Sequence, residues 1–330
     1  MPPWLPQALG YAASVACVAW VLHGYSIKDE LVPAIRQLDW RWVSVALLCD
    51  LAVFFAQAWR WNTLLAPVAL VKRWRTAQAI FIGQFANQAL PLRPGELIRC
   101  YMLAHWNGIR LSLSIASAAL ERLIDGFWLV VTFLVTAAFV RNMPDDLTIG
   151  ARALIGLMAV GAGLLLWVVF HKQHAHAILK ESRWASTARH VVEGLHLMGN
   201  GRTLGLASLQ SLVYLGLQIL TVWLLMKADA LDLGFWSAAG IVTIIRLAIV
   251  IPNGPANLGL IQVACVLAMG LFDVERTDAK NFSNIMLAAE TIPLLAAGAV
   301  AVALTGFNIR ELGERAKRGA QHLHTRPKAG

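Results

Sequence analysis

Apolar runs long enough to cross a bilayer recur along the chain, and two of them are cut near the middle by proline and glycine. A membrane-spanning helix needs about 20 predominantly apolar residues. By that measure residues 8–25, 42–62, 112–140, 151–170, 204–226 and 284–305 read as full spans. Regions 76–107 and 235–271 are interrupted, the first at Pro91-Leu-Arg-Pro-Gly95 and the second at Pro252-Asn-Gly-Pro255. The pattern predicts an all-α polytopic membrane protein with about six full spans and two broken or re-entrant helical regions. Composition points the same way. The 330 residues are 58% hydrophobic and 14% charged, where a soluble domain carries about 25% charge.

Charge orients the spans. Positive residues gather in three groups: Arg60 with Lys72, Arg73 and Arg75; Lys172, Lys180, Arg183, Arg189 and Arg202; and a basic tail, 307–330, with Arg310, Arg315, Lys317, Arg318, Arg326 and Lys328. The positive-inside rule places all three groups, and both termini, in the cytoplasm. Loops 26–41, 141–150, 227–234 and 272–283 then face outward. This parity holds only if each interrupted region leaves on the side where it began, as a re-entrant hairpin or as a pair of short spans. Residues 42–140 and 204–305 then form two halves of one membrane domain, 1–306, with the same element order and opposite starting sides. That is the pattern of an inverted-topology repeat.

Several other chemistries are not supported. The start of the chain has no Lys or Arg ahead of its apolar run, so 8–25 reads as an uncleaved span and not a signal peptide. Cys17, Cys49, Cys100 and Cys265 are isolated and read as buried thiols. His171, His174 and His176 open a polar segment, 171–203, but no carboxylate or cysteine completes a metal site. Trp40, Trp42, Trp59, Trp61 and Trp74 flank span ends as an aromatic belt does. The net charge of +9 suits cytoplasmic loops and anionic headgroups better than nucleic acid. No phosphate-binding loop, nucleophile elbow or zinc-protease motif occurs, so the expectation is a non-enzyme with no cofactor and no metal.

The candidate chemistry sits in the breaks. A charge at mid-membrane costs roughly 2.5–3.5 kcal/mol on insertion scales, and irregular backbone survives there only beside protein or water. Pro94 and Gly95 suit a helix start, with Pro94 at the first helical position and Glu96 in the first turn. A helix terminus beside Arg93 is an anion site in principle, because the guanidinium fork matches phosphate or carboxylate. Arg93 and Arg99 together outweigh Glu96. The competing reading is internal pairing of Glu96 with either arginine at three-residue spacing. Span 112–140 carries Glu121, Arg122 and Asp125 within five residues, either as a neutralising network or as a proton relay.

The second break is uncharged. Asn253 is a candidate cap for a helix beginning near Pro255, and Gly254 and Gly259 permit close backbone approach. Arg246 lies about two turns earlier and Gln262 one turn later. These small residues serve either ligand contact or helix packing. Asp50 and Glu290 are lone acids within spans, with no partner assigned.

Asn87, Pro91, Arg93, Gly95, Glu96 and Arg99, followed by Glu121, Arg122 and Asp125, resemble the flippase-like membrane family. That family includes the transmembrane region of lysylphosphatidylglycerol synthases, archaeal glycosylation-associated proteins and hopanoid-biosynthesis-associated bacterial proteins. Pro252, Pro255, Asn257 and Gly259 also fit, although the family's Pro-Gly-Gly-x-Gly form is not kept. The resemblance spans residues 40–306. It implies a bacterial cytoplasmic (inner) membrane protein that moves a phospholipid or lipid-linked molecule between leaflets without hydrolysing ATP. The aminoacyltransferase domain of the synthases is not expected after the basic tail. Expected partners are anionic membrane lipids and lipid-biosynthesis enzymes. Two other classes stay open: an ion-coupled transporter of a small solute, and a non-transporting accessory subunit of a lipid-modifying enzyme or glycosyltransferase.

Overall fold

The computed structural model describes residues 5–90, 93–139, 197–249 and 255–305, together with Gly156 and Gly194. Apart from Gly156 and Gly194, predicted span 151–170 and residues 171–196 lie outside the described residues, as do the basic tail, Pro91, Pro252, Asn253 and Gly254. Everything described is helix or connecting turn, with no strand among the described residues. Helix α1 covers Leu5–Leu22, and a π-helical turn at Ile27–Leu31 leads into the short α2, Val32–Gln37. Then follow α3 (Trp40–Leu65), α4 (Arg73–Ala89), α5 (Gly95–Asn107) and α6 (Leu111–Phe139). The later elements are α7 (Gly201–Ala228), α8 (Phe235–Ala248), α9 (Leu260–Gly270) and α10 (Arg276–Ala303).

Helices α3, α7 and α10 have 26, 28 and 28 residues and are apolar enough to cross a membrane. At 1.5 Å per residue each is about 40 Å long, beyond the ~30 Å hydrocarbon core. Their outward faces stay apolar: Leu48 is 68% exposed, Leu209 61% and Ile292 66%. Such a belt on every long helix needs lipid, not water, as solvent. The protein is a multi-pass membrane protein.

The broken regions are hairpins. Arg75 on α4 stacks over Trp106 on α5 at 5.1 Å. Farther along, Gly83 meets Gly95 and Arg99, and the Asn87 side-chain oxygen accepts from the Gly95 amide at 2.7 Å. These pairs run antiparallel, so the chain returns to the end it left. Both helices are short, about 25 and 20 Å. A Cβ added to Gly95 would lie 1.8 Å from the Gly83 carbonyl oxygen. Only glycine permits that approach. In the second region α8 packs against α9, and Gly240 meets Phe272 just beyond the end of α9.

The eight helices α3–α10 pack in matching pairs. Exchange α3 with α7, α4 with α8, α5 with α9 and α6 with α10, and the packing pattern maps onto itself. Thus α4 packs on α10 as α8 packs on α6, α5 on α6 as α9 on α10, and α3 on α4 as α7 on α8. Between α3 and α7, the Asp39 amide donates to the Ala228 carbonyl at one end, and Arg60 reaches Ser211 toward the other. The two corresponding helices are therefore antiparallel. Each also starts on a side-chain cap, Asp39 accepting from the Arg41 amide and Asn200 from the Arg202 amide.

Two helix starts differ from expectation. Pro94 caps α5 from outside, and the helix begins at Gly95. In the second region Pro255–Asn257 forms a 3-10 turn, and α9 begins only at Leu260. The left-handed backbone at Ala256 and Asn257 interrupts the helix there.

Candidate functional site

Six charged side chains form one cluster where α3, α5, α6 and α7 approach. Arg60 comes from α3 and is completely buried. One of its guanidinium nitrogens is 2.9 Å from Glu121, while the other bonds Asp125 and the Ser211 hydroxyl. Arg99 from α5 reaches Glu96 at 2.6 Å and Glu121 at 3.1 Å. Arg122 joins Glu96 to Asp125 at the half-exposed edge. Three arginines thus face three carboxylates, and the cluster is neutral.

Neighbouring groups fix its geometry. Gln57, one turn before Arg60, donates to Glu121 at 2.7 Å. Both Glu121 oxygens are consequently occupied, and the side chain has no exposure. The Trp61 ring covers Arg99 at 4.6 Å and is held by its indole N–H donating to Ser117. The Tyr214 ring lies between Arg60 and Arg246, 4.8 and 5.2 Å from their guanidinium carbons. Stacking of this kind adds roughly 0.5–2 kcal/mol per contact when desolvated.

The expected positive surplus at Arg93 and Arg99 is accordingly corrected. Arg99 is 2% exposed and committed to two carboxylates, so it is a member of the neutral cluster. Glu96 pairs with Arg99 as the three-residue spacing allowed, and it pairs with Arg122 as well. Arg60, grouped by sequence with Lys72, Arg73 and Arg75, is a buried ion-pair partner. Gln57, Ser211 and Tyr214 were not singled out from sequence. A signal was present, since Asp50, Gln57 and Arg60 share one face of an otherwise apolar span.

Arg93 stands apart from this cluster. It occupies the tip of the first hairpin with left-handed backbone, φ 50°. Its guanidinium donates to the side-chain oxygen of Asn257, on the tip of the second hairpin. No carboxylate lies within 4 Å of it among the described residues. Asn87 does not reach outward; it caps the Gly95 amide and closes the hairpin below the tip. Gly259 precedes α9, where its amide donates to Gln262. Gln262 in turn donates to Asn284 on α10. Arg246 donates to Gln218 on α7. The side chain of Pro255 lies outside the described residues.

Asp50 and Glu290 acquire neighbours. Glu290 acts electrostatically on Asp50 across the α3–α10 contact, Arg246 acts on Glu290, and one Asp50 oxygen is buried with no hydrogen-bond donor among the described residues. Among the described residues no group of three or more His, Cys, Asp or Glu side chains is arranged to hold a metal ion.

No curated protein and no solved structure matches the chain. The family model described as Lysylphosphatidylglycerol synthase TM region matches residues 7–298, which include both hairpins and all six charged members of the cluster. The chain belongs to that family of membrane domains.

Proposed function

We propose that the protein binds the anionic headgroup of a membrane lipid at Arg93 and moves it between leaflets of the bacterial cytoplasmic membrane, without enzymatic chemistry of its own. The observation that carries this reading is an arginine at the meeting point of two hairpin tips with no carboxylate within 4 Å among the described residues, beside a charge cluster that is internally neutral. A guanidinium already bonded to one amide oxygen keeps further N–H donors for a phosphate. Asn257 is a neutral acceptor, so it positions Arg93 without cancelling its charge. The left-handed tip backbone is the sort of strained conformation that gathers at functional sites.

The matched packing supports reading residues 42–140 and 204–305 as inverted halves, and the positive-inside rule would put both termini in the cytoplasm. Rocking one half against the other would expose the tip contact to each side in turn. The neutral cluster would hold the first hairpin rigid during that motion. Leaflet exchange of fluorescent phosphatidylglycerol in proteoliposomes tests the reading. Arg93→Ala is expected to slow exchange at least tenfold relative to wild type, and equal rates would overturn the assignment.

One observation favours a second reading, ion-coupled transport. Glu121 has no free oxygen to carry a proton, but Asp50 is buried with an unmet acceptor among the described residues, and the half-buried Glu290 acts on it electrostatically. An intramembrane carboxylate pair is a candidate proton carrier. Exchange that depends on an imposed proton gradient and loses that dependence in Asp50→Asn would favour it.

A further inference from the structure

A second polar site lies at the opposite end of α3 from the ion cluster. Arg60 is 20 residues along α3 from Trp40, about 30 Å away. At the Trp40 end a cavity of about 240 Å³ opens between the turn after α1 and the start of α10. His23, Gly24, Glu30, Arg276, Thr277 and Lys280 line it.

Lys280 is the unusual member. It is 5% exposed, and its ammonium donates to the His23 carbonyl at 2.8 Å. The same group lies 5.6 Å from the centre of the Tyr25 ring. Among the described residues no carboxylate comes within 4 Å of it. An ammonium has three donors, and one bond to a backbone carbonyl neither uses them nor neutralises the charge. A buried cation in this state is disfavoured unless an anion or further acceptors complete its shell.

The rest of the lining fits an oxyanion. Arg276 is exposed at the rim, its guanidinium held 4.9 Å over the Trp20 ring. Thr277 brings a hydroxyl, and α10 begins here without a side-chain cap from Glu275. Two cations therefore face one lining carboxylate, Glu30. The volume is several times the ~30 Å³ that one water occupies, enough for a tetrahedral oxyanion and its substituent. The exposed apolar residues Trp20, Leu22 and Ile27 lie close in sequence to the lining residues.

We propose that the cavity lined by Lys280, Arg276 and Thr277 binds a phosphate group, as part of a lipid headgroup or as the free ion. It is separate from the Arg93 contact and does not depend on translocation. The test uses full-length protein stripped of lipid in a maltoside detergent. One arm titrates inorganic phosphate and follows thermal stabilisation; the other adds phosphatidylglycerol and counts retained molecules by native mass spectrometry.

Wild type is expected to bind in at least one arm, with Arg276→Gln and Lys280→Gln at least fivefold weaker. Binding in the lipid arm alone identifies a headgroup, and binding in the phosphate arm alone identifies the free ion. Arg276 is exposed, so its variant keeps the fold even where the Lys280 variant does not. The proposal is overturned if wild type binds neither probe, or if folded Arg276→Gln binds like wild type.

Discussion

Arg93 donates to the side chain of Asn257 across 164 residues of sequence, and both hold left-handed backbone, φ 50° and 52°. Each hairpin tip thus presents one strained residue to the other. A neutral partner positions the arginine; a charged one would silence it.

Asn257→Asp should therefore impair the protein more than Asn257→Ala. The aspartate supplies a counterion to Arg93 and competes with a phosphate, whereas alanine only releases the guanidinium. Lipid exchange in proteoliposomes is expected to fall at least tenfold for the aspartate variant and only a few-fold for alanine. The opposite order would remove Arg93 from the headgroup contact.

The neutral cluster predicts a stability effect of different origin. Arg60→Met leaves Glu121 and Asp125 buried without one of their cations, a change that costs about 3–5 kcal/mol in comparable sites. Thermal unfolding in detergent should show a large drop for Arg60→Met. The double variant Arg60→Met with Glu121→Gln should lose less than the two single losses added, because its members share one network. Additive losses would mean that the pairs act independently.

Close approach at the first hairpin predicts a sharp contrast between two glycines. Gly95→Ala puts a methyl group against the Gly83 carbonyl and the Asn87 side chain, where neither helix can yield without opening the hairpin. Gly108 ends α5 with φ 63° but has open space around it, so alanine there costs only about 1 kcal/mol of backbone strain. Folded yield after extraction should collapse for the first variant and barely change for the second.

Outside the membrane, Asp229 follows the end of α7. Burial first, and then the nearby Asp278 carboxylate, raise its pKa from the ordinary 3.8 to about 7. A raised pKa favours the protonated form in the folded state. Its contribution to stability is full below about pH 3.8 and is lost as pH rises through about 7. Wild type should lose thermal stability progressively between about pH 4 and 7 and level off above that, and Asp229→Asn should flatten the loss. An unchanged slope in the variant would assign the effect elsewhere.

The sequence by itself determined which segments enter the membrane and where they break. Span length and proline position are one-dimensional properties, and they located α3, α6, α7, α10 and both hairpins. It also found Arg93, because an arginine between two prolines in an apolar run is conspicuous without neighbours. Tertiary structure decided which charges remain available. Arg99 and Arg93 look alike in the chain, six residues apart, yet one packs against Glu96, Glu121 and Trp61 while the other meets only Asn257. Arg60 read only as one member of a basic group until α6 placed two carboxylates beside it. Electrostatic balance depends on distances between helices, which hydrophobic periodicity does not encode.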